Sequence, residues 1–194
     1  VCDIRDENQI QSAVEQGVAR FGGIDILVNN ASAISLSPTE KTEPKRFDLM
    51  HDINVRGTFF VSKACIPFLK KGKNPHILTL SPPINMNMKW FANHIAYTMS
   101  KYNMSMIALG LAAELKEYGI ASNALWPRTT IATAAVQNLL GGDALIRMSR
   151  TPEIVADAAA IILAKPSSSY SGQTLIDEDV LKAEGISNLD QYSV

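Results

Sequence analysis

Tyr97 and Lys101 stand four residues apart in the stretch YTMSK. On a helix that spacing puts both on one face, about 6 Å apart along the axis, so a phenol and an ammonium can converge on one ligand. A phenol with a pKa near 10 is a poor base at neutral pH. A neighbouring ammonium favours the phenolate, and a shift of about three units takes roughly 4 kcal/mol of differential stabilisation. The chemistry on offer is proton transfer beside a bound small molecule. By itself the spacing also fits a packed ring beside a solvated amine, so its meaning rests on the surroundings.

Those surroundings alternate strand and helix patterns. Val1-Cys2-Asp3 reads as the end of a strand, and Ile10, Val14 and Val18 then recur every fourth residue along a polar helix that Gly22-Gly23 ends. IDILVNNAS follows as a buried strand closing on small and polar residues. Residues 45 to 69 predict a long helix with Phe47, Met50, Ile53, Val61, Ala64 and Phe68 as its apolar positions. HILTLS, residues 76 to 81, is the next strand, ended by Pro82-Pro83, and YTMSK opens a helix near residues 95 to 117. IASNALW is a third strand stopped by Pro127. Residues 130 to 149, interrupted by Gly141-Gly142, fit a mobile helical lid or a fixed helix. Pro152 starts a further helix, and residues 172 to 177 are the last strand. This alternation predicts an α/β fold, a doubly wound parallel sheet covered on both faces, in one domain over residues 1–194.

Composition narrows the function classes. With 18 basic and 19 acidic residues the chain has no sequence-wide charge to attract nucleic acid or an anionic membrane. Cys2 and Cys65 are far apart and outside any CxxC or Cys/His pattern, so reduced thiols and no metal site are expected. No stretch approaches the roughly 18 uninterrupted apolar residues of a membrane span. His51, His76 and His94 do not cluster with carboxylates and receive no role. The expectation is a cytoplasmic protein, or a peroxisomal or mitochondrial one in a eukaryote, acting on a small organic molecule.

The motifs then fall into an order: NNAS at 29–32, NVRG at 54–57, Ser81 ending a strand, YTMSK at 97–101 and NALWP at 123–127. From Asp3 to about Asp177 this resembles the short-chain dehydrogenase/reductase family, whose NNAG, N-x-x-G, Ser, Y-x-x-x-K and N-x-x-x-P-G elements occur in that order. The resemblance implies a Rossmann-like sheet and an NADP- or NAD-dependent oxidoreductase acting on a small apolar carbonyl or alcohol, with family members commonly forming homodimers or homotetramers. It implies Tyr97 as general acid/base, Lys101 on the nicotinamide ribose, and Asn54 positioning a water that links Lys101 to solvent. Asp3 would accept a hydrogen bond from the adenine amino group, Asn30 and Ala31 would pass the adenine ribose, and Pro127, Ile131 and Thr133 would face the nicotinamide end and the pyrophosphate.

Departures from the pattern leave alternatives open. The interval from Ser81 to Tyr97 exceeds the family's by a few residues, so either Ser81 or Pro82 occupies the position of the substrate-binding serine, and Asn85 or Asn87 could act as donor instead. Ser32 replaces the family's Gly, and Arg128 replaces the Gly after Pro127; Arg128 is either near the nicotinamide or substrate, or a surface cation. Met86, Met88, Trp90 and Phe91 line a substrate entrance or pack a loop or subunit contact. No glycine-rich phosphate turn occurs in the chain, so NAD and NADP are not distinguished. The sequence is therefore expected to lack the first β-α-β portion of the fold and to belong to a longer chain, with the sheet split and IDILVNN left as an aggregation-prone edge. A noncatalytic nucleotide-sensing or interaction protein, or an inactive truncated product, stands as the alternative function.

Overall fold

The computed structural model describes residues 1–194. Helix α1, Glu7–Phe21, is capped by the Asp6 carboxylate, which accepts from the backbone N–H groups of Asn8 and Gln9, and ends where Gly22 turns left-handed at φ 88°. It buries Ile10 and Val14. Strands β1 (Ile26–Asn29), β2 (His76–Leu80), β3 (Ala121–Trp126) and β4 (Thr174–Ile176) form one sheet in the order β1-β2-β3-β4. Every pairing is parallel, with Leu27 beside Ile77, Leu78 beside Asn123 and Leu125 beside Leu175.

The long helix predicted over 45 to 69 is present as α2 (Pro44–Met50) and α3 (Thr58–Leu69), joined without a break by a π-helical segment, His51–Gly57. Helix α4 is Ile95–Glu114 and carries the YTMSK stretch. Residues 130 to 149 hold a second π-helical segment, Val136–Leu140, and the short α5, Gly142–Ile146, which opens on Gly142 at φ 57°. Then come α6 (Glu153–Ala164) and α7 (Asp177–Ala183). Sequence periodicity gave no sign of α7. It starts directly off β4, and its first turn carries Asp177, Glu178 and Asp179, where the helix dipole favours negative charge.

Two apolar cores lie on opposite faces of the sheet, because successive strand residues point to opposite sides. Ile77 joins Val14, Cys65, Leu69, Leu111 and Leu115 from α1, α3 and α4. Leu78, its neighbour, joins Ile154, Ala158, Ile162, Val180 and Leu181 from α6 and α7. The doubly wound expectation is met on both faces of β2 and β3.

At β1 cover is one-sided. Leu27 packs into the first core, whereas Ile26 and Val28 are 47% and 45% exposed. The predicted strand ending at Asp3 is not formed: residues 1–3 pair with no strand, and Asp3 instead closes a turn in which its carbonyl accepts from the Asp6 N–H. An extended tripeptide without a hydrogen-bonding neighbour gains nothing from strand geometry, so the sheet is continuous rather than split, and β1 is its open edge. Leu78→Ala is expected to cost about 2–5 kcal/mol in urea unfolding, and Val28→Ala less than about 1 kcal/mol. Comparable losses at the two positions would mean that Val28 is covered.

Candidate active site

The π-helical segment puts Asn54 at full burial between the loop leaving β1 and the first turns of α4. Its Oδ1 accepts from the Ala33 N–H at 2.7 Å and from the Ser32 hydroxyl at 3.0 Å. Its Nδ2 donates to the Ala33 carbonyl and to Ser100 Oγ, each at 2.9 Å. A carboxamide offers two donors and two acceptor sites, so this one is saturated. The side chain therefore has no free group for the water expected of it; any such water would have to sit on its main chain. Ser100, also fully buried, passes the contact on by donating to the Tyr97 carbonyl at 2.8 Å. Gly57 closes NVRG because a Cβ there would lie 2.5 Å from Ile4 Cδ1.

Tyr97 and Lys101 share one face of α4, as their spacing requires, and both line a cavity of about 420 Å³. Lys101 is 3% exposed. Its ammonium donates to the Leu80 carbonyl at 2.6 Å, with Ser32 Oγ and Met104 Sδ each at 3.4 Å, and lies 5.1 Å from the centre of the Trp126 ring. No carboxylate neutralises it, and burial pushes its pKa down to about 7. Burial pushes the Tyr97 phenol up to about 12. The downward pull of the ammonium on the phenol, expected from the spacing, does not appear: desolvation alone acts on both groups, and the Lys101 head is directed to Leu80 rather than to the ring.

Other expected residues divide. Pro127 and Arg128 line the cavity, with Pro82, Pro83, Asn85, Trp90, His94 and Ile176. Ser81 does not line it: its Oγ is fully buried without a partner, while its N–H extends the sheet by donating to the Leu125 carbonyl at 3.1 Å. Of the two asparagines considered as donors, Asn85 lines the cavity, whereas the Asn87 carboxamide caps the turn at Lys89. Arg128 reaches the cavity wall but its guanidinium is paired with Asp179 and Glu178 on α7.

Asp3 is held by Nε and Nη2 of the Arg5 guanidinium, which bring its carboxyl down to about 2. Asn30 and Ala31 are exposed just beyond β1. Ile131 packs against the α6/α7 core, and Thr133 Oγ1 accepts from the Val136 N–H, so neither side chain is turned to the cavity. Met86 and Met88 are exposed outside it. His94 had no sequence signal beyond its place before Tyr97. Thr98 Oγ1 donates to the Trp90 carbonyl, so His94 Nδ1 must be the donor in its 2.9 Å contact with Thr98, which leaves Nε2 as acceptor when the ring is neutral.

A family model described as enoyl-(acyl carrier protein) reductase matches residues 1–178. The chain belongs to the short-chain dehydrogenase/reductase family. It is 58% identical over 194 residues to hydroxysteroid dehydrogenase-like protein 2 of Xenopus tropicalis and 55% identical to that of Homo sapiens, covering 100% of this chain and 46% of each relative. The chain thus spans about half the length of these curated relatives. Among solved structures of the family, a short-chain dehydrogenase from Mycobacterium thermoresistibile is 57% identical with a TM-score of 0.92, covering 100% of this chain and 68% of that one. A candidate dehydrogenase from Xanthomonas campestris is 52% identical with a TM-score of 0.94, covering 100% and 70%.

The buried ammonium of this short-chain dehydrogenase/reductase has a stability cost with a defined sign. Below about pH 7 folded and unfolded chains both carry the proton and the penalty is complete; between about 7 and 10.5 the folded chain sheds it first, so stability rises with pH. Lys101→Met is expected to stabilise the fold at pH 7 by roughly 2–4 kcal/mol and to flatten this rise. Urea unfolding at pH 7 and pH 9 measures both. An unchanged slope would show that Lys101 is not the group responsible.

Proposed function

We propose that the chain supplies the acid/base machinery of an oxidoreductase that interconverts an alcohol and a carbonyl with a nicotinamide cofactor, NADP or NAD. The observation that carries this reading is the state of the three hydroxyls lining the cavity. Thr98 is bonded to His94 and Trp90, and Tyr102 exchanges bonds with the Asn85 main chain at 2.8 and 3.3 Å. Tyr97 alone has its hydroxyl free of the protein, beside an amine that titrates near neutrality. A further support for the cofactor class is a gluconate 5-dehydrogenase from Burkholderia cenocepacia in complex with NADP and tartrate, 25% identical with a TM-score of 0.75.

The residues present fit the nicotinamide end of such a cofactor. Lys101 would exchange its weak Met104 contact for a ribose hydroxyl, and Trp126, Pro127 and Ile176 give the cavity an apolar wall. When bound, the nicotinamide supplies or accepts the hydride at the substrate carbon. Tyr97 handles the oxygen. In reduction its O–H gives a proton to the carbonyl oxygen, and Lys101, with its pKa lowered to about 7, returns a proton to the phenolate and regains one from solvent. In oxidation the steps reverse. Asn85, which lines the cavity, is the candidate donor to the substrate oxygen, a part left open because the Ser81 hydroxyl is buried away from the cavity. A noncatalytic binding role on the same fold draws support from that displaced serine.

Tyr97→Phe separates the two readings. In the intact protein, turnover over a panel of carbonyl substrates is expected to fall by about 10²–10⁴ while nicotinamide fluorescence still reports cofactor binding. Undiminished turnover would refute the acid/base assignment. Absence of turnover in the unmutated protein, with binding intact, would favour the noncatalytic role.

A further inference from the structure

We propose that Ser32, which stands where the family pattern has glycine, is a positioning residue for Lys101: its hydroxyl, oriented by Asn54, accepts from the buried ammonium and ties it to the solvent side of the site. The inference rests on the oxidoreductase reading above and assigns a part to a residue outside the Tyr97, Lys101 and Asn54 set.

The geometry is specific. The Ser32 hydroxyl donates to Asn54 Oδ1 at 3.0 Å, which aims its remaining lone pairs elsewhere, and Lys101 Nζ lies 3.4 Å from the same oxygen. Lys101 has three N–H donors and, besides Ser32, only the Leu80 carbonyl and the weak Met104 sulfur to receive them. Ser32 thus provides one of just two oxygen acceptors for a cation that is almost entirely buried. Ser32 is also the only one of the three residues that is solvent-exposed, since Leu80 is half-buried and Met104 fully buried. A glycine at residue 32 would leave the ammonium with a single oxygen acceptor and Asn54 Oδ1 with one donor fewer.

The elements packed around Lys101 bring no compensating charge. Tyr97 and Tyr102 on α4, His94 before it, and Arg128 after β3 line the same cavity, and no carboxylate forms an ion pair with Lys101. The protonation of Lys101 is therefore set by burial and by these few hydrogen bonds, and removing an acceptor favours the neutral amine.

The test is the titration of Lys101 itself, followed by NMR of ¹³Cε-labelled lysine in the intact protein without cofactor. With a midpoint near 7, Lys101 is resolved from ordinary lysines, and its signal is assigned by its loss in Lys101→Met. Ser32→Ala is expected to move that midpoint down by about 0.5–1 pH unit, and Ser32→Thr, which keeps the hydroxyl, to leave it near the unmutated value. In turnover, Ser32→Ala is expected to move the alkaline limb of the kcat profile to lower pH by a similar interval, with the substrate KM little changed. A Lys101 midpoint unmoved in Ser32→Ala, or moved as far in Ser32→Thr, would overturn the proposal. The titration needs no catalysis, so that result is distinct from failure of the oxidoreductase reading, which Tyr97→Phe turnover decides.

Discussion

The site depends on one carboxamide with no hydrogen bond to spare. Asn54 joins the loop after β1, through Ser32 and Ala33, to the second turn of α4, through Ser100. Buried amides that lack a partner are costly, so these four bonds hold the loop and the helix in a single arrangement. The π-helical segment is what makes this reachable: the extra residue per turn carries the Asn54 side chain into the gap, and π turns inside α-helices are rare except at functional sites.

Once that arrangement is set, the electrostatics follow from burial. Lys101 is enclosed by Leu80, Met104 and Trp126, and Tyr97 opens on the cavity with no partner of its own. Desolvation moves the two groups in opposite directions on the pH scale, the amine down and the phenol up. Both are thereby kept closer to their neutral forms. The amine is left where it can exchange protons near neutral pH, while the phenol is a stored proton and not a standing base.

Much of this was legible in the sequence, and the part that was not has a common cause. The i, i+4 spacing of Tyr97 and Lys101, the order of NNAS, NVRG and NALWP, and the alternation of apolar runs are local or ordered patterns. They led to the parallel sheet and to the correct helix for the pair. What spacing does not carry is direction. It placed Lys101 on the face of Tyr97 but not its head on the Leu80 carbonyl, and it placed Ser81 at a strand end without showing that its hydroxyl is buried away from the cavity. His94 was passed over because a lone histidine has no pattern, and Val1-Cys2-Asp3 was read as a strand because apolar character was weighed without asking what it would pair with. Ser32 was noticed only as a departure; its contacts with Asn54 and Lys101 join residues far apart in the chain.

The coupling of loop to helix through Asn54 is tested most directly by amide hydrogen exchange at Ala33, whose N–H donates to the Asn54 side chain. In Asn54→Leu the account predicts that Ala33 loses protection while the amides within β2 and α4 keep theirs. Unchanged protection at Ala33 would contradict it, because the loop would then be held by something other than that carboxamide.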